Sequence, residues 1–391
     1  MQTYSAATKD GNEVMSDLRE APLSIAKLSL FQFKNYESIE INFDAPVVCF
    51  LGDNGEGKTN LLDAIHYLTS CKSYFNAVDS QNIKSGEDQG SIAGEFMRNY
   101  QPEMVHCALR KNQRKIFKRN HKEYDRLAEH IGFLPSVIIT PYDIELILEG
   151  SEVRRKFVDI TISQYSNKYL EHLVAYNQAL SQRNNLLKSF GKSGKYTPEL
   201  LEPWDFQLVQ HATFIYEERL KFFEKFIPVF NGMYQTISNG KEQASLEYKS
   251  DLATDSLENL LLKNRDKDKF LERTSAGIHK DELEFLLDGH PLKKFASQGQ
   301  QKSYLIALKL SQYLTLKQEN EATPILLLDD LYDKVDETRV GNLLAWLHQN
   351  HLGQIFITDT HTDRIPALLS KMEAKFEAFH IQKNAASKMS F

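Results

Sequence analysis

Gly52-Asp53-Asn54-Gly55-Glu56-Gly57-Lys58-Thr59 carries its glycines, lysine and hydroxyl at the spacing of a phosphate-binding loop. Glycines let the backbone turn successive N–H groups toward phosphate oxygens, and a helix that starts at the loop's end adds its positive N-terminus. In such a loop Lys58 reaches the β- and γ-phosphates of a nucleotide, and the Thr59 hydroxyl is a ligand for Mg2+. The required context is present. Val47-Val48-Cys49-Phe50-Leu51 reads as a strand buried on both faces, and Leu61, Leu62, Ile65 and Leu68 follow at helical spacing.

A phosphate loop needs a carboxylate at the end of another strand. Ile325-Leu326-Leu327-Leu328 runs into Asp329-Asp330. Asp329 is placed to hold Mg2+, directly or through water, and Asp330 to orient an attacking water. The alternative is a core strand followed by a helix N-cap, which Asp330 could supply. Upstream, Phe295-Ala296-Ser297-Gln298-Gly299-Gln300-Gln301-Lys302 puts Ser and Gly at a helix start, a second anion site with free N–H groups and a hydroxyl. Within one subunit this corner is expected to lie too far from the phosphate loop to share its nucleotide. The economical reading is that it caps the γ-phosphate bound by a neighbour, and an ordinary N-cap at Ser297 is the other.

The elements that must position these residues alternate strand and helix at both ends of the chain. Residues 23–51 read as β-strands, 92–125 as short antiparallel strands, and Val137-Ile138-Ile139 as a buried strand before a Pro141 turn. From about Glu152 to Ile237 long helical patterns dominate, interrupted by a loop from Gly191 to Pro198. Asn239-Gly240 and Asp288-Gly289 read as hairpin turns. The expectation is one α/β domain built from both ends, with an inserted helical lobe. Its boundaries fall at 1–22 (a polar, flexible extension, with Met15 as an alternative start), 23–150, 151–240 and 241–391.

Composition narrows the function classes. With 47 Lys and Arg against 53 Asp and Glu, the net charge of −6 excludes a wholesale basic coat. Cys49, Cys71 and Cys107 sit far apart, with no zinc-ligand or redox spacing, which fits a reducing compartment and a cytoplasmic address. No apolar run reaches the roughly 18–20 residues of a membrane span. Any nucleic-acid surface is therefore a local patch. The densest is Arg110, Lys111, Arg114, Lys115, Lys118, Arg119 and Lys122, with no acid among them. Phosphate contacts from it would be sequence-independent and salt-sensitive; the alternative is a hairpin with a solvated face. Arg154, Arg155 and Lys156 form a second cluster, with Asp159 or Asp143 as possible partners, and His279 and Lys280 are weaker candidates.

Taken together, these segments resemble the RecF family of ABC-type ATPases related to SMC proteins, from about Leu23 to Lys371. The resemblance rests on Phe33-Lys34-Asn35-Tyr36, on the phosphate loop through Asn60-Leu61-Leu62, and on Pro141 with Arg154-Arg155-Lys156-Phe157-Val158-Asp159. It continues in Gln182-Arg183-Asn184-Asn185-Leu186-Leu187-Lys188, Gly277-Ile278-His279-Lys280-Asp281, Ser297-Gln298-Gly299-Gln300-Gln301 and Leu326-Leu327-Leu328-Asp329-Asp330. It implies a P-loop ABC-type ATPase head, a mixed sheet flanked by helices with an antiparallel β subdomain, plus the helical lobe. It implies an ATP- and Mg2+-dependent DNA-binding protein of recombinational repair and replication. Such proteins form a head-to-tail homodimer on ATP, clamp DNA, hydrolyse ATP slowly to release it, and work with RecR and RecO.

Carried over by position, Gly52 to Asn60 bind the nucleotide and Ser297, Gln298, Gly299 and Gln300 act across the dimer. Lys58, Asp329 and Asp330 serve hydrolysis, Thr59 and Asp329 the metal, and Asp336 the dimer contact. His361 is the candidate γ-phosphate sensor, although Thr358-Asp359-Thr360-His361 puts it two residues late and Asp359 could take that place. Asp330 stands where Glu is usual, Asp333-Lys334-Val335-Asp336 where Ser-x-Leu-Asp is usual, and Ile278 where Pro is usual. The shorter Asp330 keeps a second reading open, a nucleotide-gated DNA clamp with little hydrolysis. A third, the ATPase subunit of a transporter, has the wrong signature residues and too long an insert.

Overall fold

The computed structural model describes residues 23–330, 337–350 and 352–391. Its centre is a six-stranded sheet in the order Ala385–Lys388, Phe376–Gln382, Val47–Leu51, Ile355–Asp359, Ile325–Leu328, Ser136–Ile139. Every pairing in it is parallel except the terminal hairpin of Ala385–Lys388 on Phe376–Gln382. The strand residues divide between two cores. Val48, Phe50, Ile138, Leu327 and Phe356 join the core around the helix Lys58–Ser70. Cys49, Leu51, Val137, Ile139, Leu326, Leu328 and Ile357 join the core of the long helices. That two-sided burial is why these strands read as unbroken apolar runs.

The helix Lys58–Ser70 is buried nearly all round because a second sheet covers its other side. This antiparallel sheet is ordered Tyr36–Asn42, Leu23–Phe33, Gln89–Arg98, Gln101–Arg110, Ile116–Arg119, Lys122–Glu123. Leu23–Phe33 buries Leu23, Ile25, Leu28, Leu30 and Phe33, an imperfect alternation with a local cause for each break. The register slips between Ile25 and Lys27, and Gln32 sits at φ 48°.

The helices Ser151–Ser163, Asn167–Ser193 and Glu202–Ser238 pack on the opposite side. Phe222, Phe223, Phe226 and Phe230 on the last are buried. Two sequence expectations are corrected here. Asn239-Gly240 is not a hairpin turn; Asn239 (φ 54°) and Gly240 (φ 68°) end the helix Glu202–Ser238 in the left-handed cap that both residue types favour. The loop expected from Gly191 starts later, because the helix Asn167–Ser193 runs on to a left-handed cap at Gly194. Asp288-Gly289 does turn a hairpin, pairing Leu287 with His290.

Residues 1–22 and the segment with Asp333, Lys334, Val335 and Asp336 lie outside the described residues. Among the described residues, no helix is long and apolar enough to cross a membrane.

Candidate nucleotide site and signature corner

The loop from Gly52 to Gly57 leaves the buried strand Val47–Leu51 and enters the helix Lys58–Ser70. Two of its glycines are sterically obligatory. A Cβ on Gly57 (φ 103°) would lie 2.3 Å from Asn35 Nδ2 and 2.8 Å from the Tyr36 hydroxyl, and one on Gly52 (φ 143°) would lie 2.3 Å from the Ile381 carbonyl oxygen. Asn35 and Tyr36 brace the loop from the antiparallel sheet. Tyr36 donates to the Gly57 carbonyl at 3.2 Å, Asn35 Nδ2 to the Glu56 carbonyl at 3.4 Å, and Asn60 Nδ2 to Asn35 Oδ1 at 2.7 Å. The tip of the C-terminal hairpin closes the far side, where Asn35 bonds Asn384 and the Lys383 amide donates to Glu56. Phe33-Lys34-Asn35-Tyr36 carried part of the family resemblance with no role attached; through Asn35 and Tyr36 it braces the loop.

Lys58 is 7% exposed. Its Nζ donates to the carbonyls of Gly52 (2.6 Å) and Asp53 (2.7 Å). Burial pushes its pKa down, against the pull of Asp330, Asp329, Asp359 and Asp53. One ammonium thus faces four carboxylates, a balance that an arriving phosphate would change.

The strand Ile325–Leu328 delivers Asp329 to Thr59. The Thr59 hydroxyl donates to Asp329 Oδ1 at 2.9 Å and lies 3.2 Å from Oδ2. Two adjacent ligands of an octahedral Mg2+ with bonds of 2.0–2.1 Å stand about 2.9 Å apart, so this oxygen pair fits the ion. Among the described residues no group of three or more His, Cys, Asp or Glu could hold a metal. Burial raises the Asp329 carboxyl, while hydrogen bonds from Thr358 and Thr59 lower it. Thr358 was missed by sequence reasoning. It lies on the neighbouring strand Ile355–Asp359, donates to Asp329 Oδ1 at 2.8 Å and accepts the Asp330 amide at 2.9 Å. Asp330 is half-buried at φ 45°.

At the end of the same strand, buried Asp359 is gripped by Arg364 at 2.6 and 3.1 Å and accepts the amides of Thr360 (2.7 Å) and His361 (3.3 Å). Asp359 is therefore occupied by its own turn, while exposed His361 follows two residues beyond the pairing of Asp359 with Leu51.

Ser297 and Gln298 are exposed, and Gly299 and Gln300 half-exposed, at the start of the 22-residue helix Gln298–Glu319. Ser297 Oγ accepts the Gln300 amide at 3.3 Å and Gln300 Oε1 accepts the Ser297 amide at 2.7 Å, a capping box. Gln300 Nε2 reaches Glu242 at 3.0 Å. Ser297 is thus an N-cap, on an exposed corner of the molecule.

The basic segment divides. Lys115 donates to the Cys71 carbonyl (2.6 Å) and pairs with Asp79 (3.1 Å). Arg119 makes a fork on Glu103 at 2.6 and 2.8 Å, and Lys111 pairs with Asp88 at 3.1 Å. Arg110, Arg114, Lys118 and Lys122 make no ion pair among the described residues. The second cluster pairs with neither Asp159 nor Asp143. Arg154 donates to the carbonyls of Leu146 and Glu149, and Arg155 to that of Asp281 at 2.7 Å. Asp159 instead pairs with buried Arg219 at 2.8 Å and Asp143 with buried Lys309 at 2.9 Å. His279 is half-buried against Tyr176, whose hydroxyl lies 2.7 Å from its Nδ1.

This architecture is found in known proteins. The chain has a TM-score of 0.86 to a solved structure of the recombination mediator protein RecF with ATP, of the RecFOR pathway, at 27% identity over 95% of this chain and 99% of that one. It has a TM-score of 0.56, at 18% identity over 94% and 96%, to the Smc head domain of Pyrococcus furiosus. That likeness establishes the ATPase-head fold alone. In sequence it is 46% identical to the DNA replication and repair protein RecF of Flavobacterium johnsoniae over 359 residues, 92% of this chain and 100% of the relative. The RecF/RecN/SMC N-terminal domain model matches residues 24–386, from the first strand of the antiparallel sheet to the hairpin that closes the phosphate loop. Loop, carboxylate strand and signature corner all fall inside that match, and the chain belongs to the RecF family.

Proposed function

We propose that this protein is an ATP-dependent DNA-binding ATPase of recombinational repair and replication. ATP binding joins two copies head to tail into a clamp on DNA, hydrolysis is slow and DNA-stimulated, and RecR- and RecO-type mediators are the partners. The observation that carries the reading is the exposed, capped corner Ser297–Gln300 on a chain that also holds a braced phosphate loop. One copy offers a phosphate cradle and the other a hydroxyl and helix N-terminus with no phosphate of its own to contact.

In the loaded state Lys58 exchanges the carbonyls of Gly52 and Asp53 for phosphate oxygens. Thr59 and Asp329 would hold Mg2+, which would neutralise phosphate charge. Asp330 orients the attacking water and accepts its proton. Ser297 and the positive N-terminus of its helix complete the partner's site. His361 is positioned to sense the γ-phosphate. The clamp with little hydrolysis stays as a second reading, because Asp330 is a short acid at a left-handed φ.

Sedimentation with and without ATP and a gapped DNA, on wild type, Lys58→Ala and Ser297→Arg, tests the reading. Wild type is expected to double in mass with ATP. Lys58→Ala should lose both ATP binding and doubling. Ser297→Arg should bind ATP and stay a monomer; a variant that still doubles removes Ser297 from the interface.

A further inference from the structure

We infer that DNA lies along a basic track formed by Lys72, Lys156, Arg155, Lys280, Arg273 and Lys267, running from the end of the phosphate-loop helix across the first helix of the lobe to its flank. This deepens the DNA-clamp reading above and rests on it. The segment 110–122 looked denser in sequence, but three of its seven cations are tied into ion pairs. On the track Lys72, Lys156, Lys280, Arg273 and Lys267 are exposed, and none makes an ion pair among the described residues.

Contacts to main-chain carbonyls hold neighbouring parts of the track together. Arg155 bonds the Asp281 carbonyl at 2.7 Å, beside Lys280. The Arg273 amide bonds the Asp268 carbonyl at 3.2 Å, beside Lys267. Arg155 and Lys156 are successive residues of the helix Ser151–Ser163, which turns them about 100° apart, so that this helix joins the two halves. The cations also feel one another. Partial desolvation lowers the pKa of Lys72, and Lys156 and Lys115 lower it further; partial desolvation lowers that of Lys280, and Arg273, Arg155 and Lys267 add to the effect.

The acids beneath are already occupied. Asp159 and Asp281 pair with Arg219 at 2.8 and 2.6 Å, and Asp268 with Arg183 at 2.7 Å. Exposed Glu152 lies at the edge, where it acts on Arg155. Exposed Asp266 and Glu272 flank Lys267 and Arg273. Five exposed cations that outnumber these acids, on a protein of net charge −6, fit a polyanion held by its phosphates.

The test uses full-length protein, ATP and a fluorescein-labelled gapped duplex, read by anisotropy across a salt series. Sedimentation with ATP alone reports the dimer. The variants are Lys72→Glu with Lys156→Glu, Arg273→Glu with Lys280→Glu, and the neutral pair Lys72→Ala with Lys156→Ala. Arg114→Glu with Lys122→Glu is the comparison. Each reversed track pair is expected to weaken DNA binding at least about tenfold, and the neutral pair to reduce the slope of log K on log salt by about 2. ATP-driven doubling should persist. Track variants that bind as wild type does, or a comparison pair that loses as much, overturn the track and leave the clamp standing. A wild type that binds no DNA with ATP overturns the clamp reading, and the track with it.

Discussion

The Thr358 hydroxyl donates to Asp329 Oδ1 at 2.8 Å while it accepts the Asp330 amide at 2.9 Å. One side chain on a neighbouring strand therefore sets the geometry of both acids that end the strand Ile325–Leu328. Thr358→Val keeps the shape and removes both bonds. An unsatisfied buried amide costs about 1–3 kcal/mol, and that is the expected loss of stability. With one stabilising donor gone, the Asp329 carboxyl rises further. Full ionisation then needs a higher pH, so the acidic limb of the turnover profile should move upward. Thr358→Ser, which keeps the hydroxyl, should restore both. An unmoved limb in the valine variant would mean that Thr358 only packs.

Asp330 occupies a backbone conformation that Asn tolerates as well as Asp. Asp330→Asn should therefore fold normally and still bind ATP and dimerise. Loss of a general base lowers turnover by about 10²–10⁴-fold. Single-turnover hydrolysis paired with the dwell time on DNA separates the two readings. Slowed hydrolysis with prolonged retention supports an ATPase that resets its clamp; unchanged hydrolysis would sink Asp330 as the base.

Much of this site was legible because its signals are local. The phosphate loop, the apolar strand ending in Asp329-Asp330 and the Ser-Gln-Gly corner each fit within a few residues. Thr358 was not legible, because one hydroxyl in a buried strand looks like filler until its neighbour strand is known. The partners of Lys115 and Arg119, Asp79 and Glu103, are remote in sequence, so a dense run of cations looked free. Asn239-Gly240 misled because a type I′ turn and a helix cap both require positive φ, and the flanking residues did not decide between them. The slipped alternation of Leu23–Phe33 had a similar origin, in a bulge that spacing alone does not reveal.

The loop brace depends on a buried ion pair. Lys34 and Asp63 have side chains 9% and 0% exposed, and Asp63 also accepts from Ser73 (2.6 Å) and the Tyr74 amide (2.7 Å). Lys34→Met leaves a buried carboxylate without its cation, which costs about 3–5 kcal/mol. Lys84→Met, whose partner Glu37 is 77% exposed, should cost less than about 1 kcal/mol. Urea midpoints of the two variants check the contrast. Adding Asp63→Leu to Lys34→Met should recover part of the loss, since the stranded charge goes with it.

Three histidines, His66 and His130 buried and His279 half-buried, link the fold to pH. Burial pushes His66, His130 and His279 each down to about 4. In the unfolded chain they titrate near 6.5, so between those values the unfolded state binds more protons. Their contribution is present in full above pH 6.5 and is lost as pH falls toward 4. Each adds a slope of at most about 1.4 kcal/mol per pH unit. His66 is the cleanest to remove, because its Nδ1 has no hydrogen-bond partner among the described residues and its ring meets Tyr74 edge-on, 5.3 Å between centroids. His66→Phe keeps that contact and deletes the proton. Denaturant unfolding across this window should give a slope shallower by about one proton than wild type. Equal slopes would place the titration elsewhere.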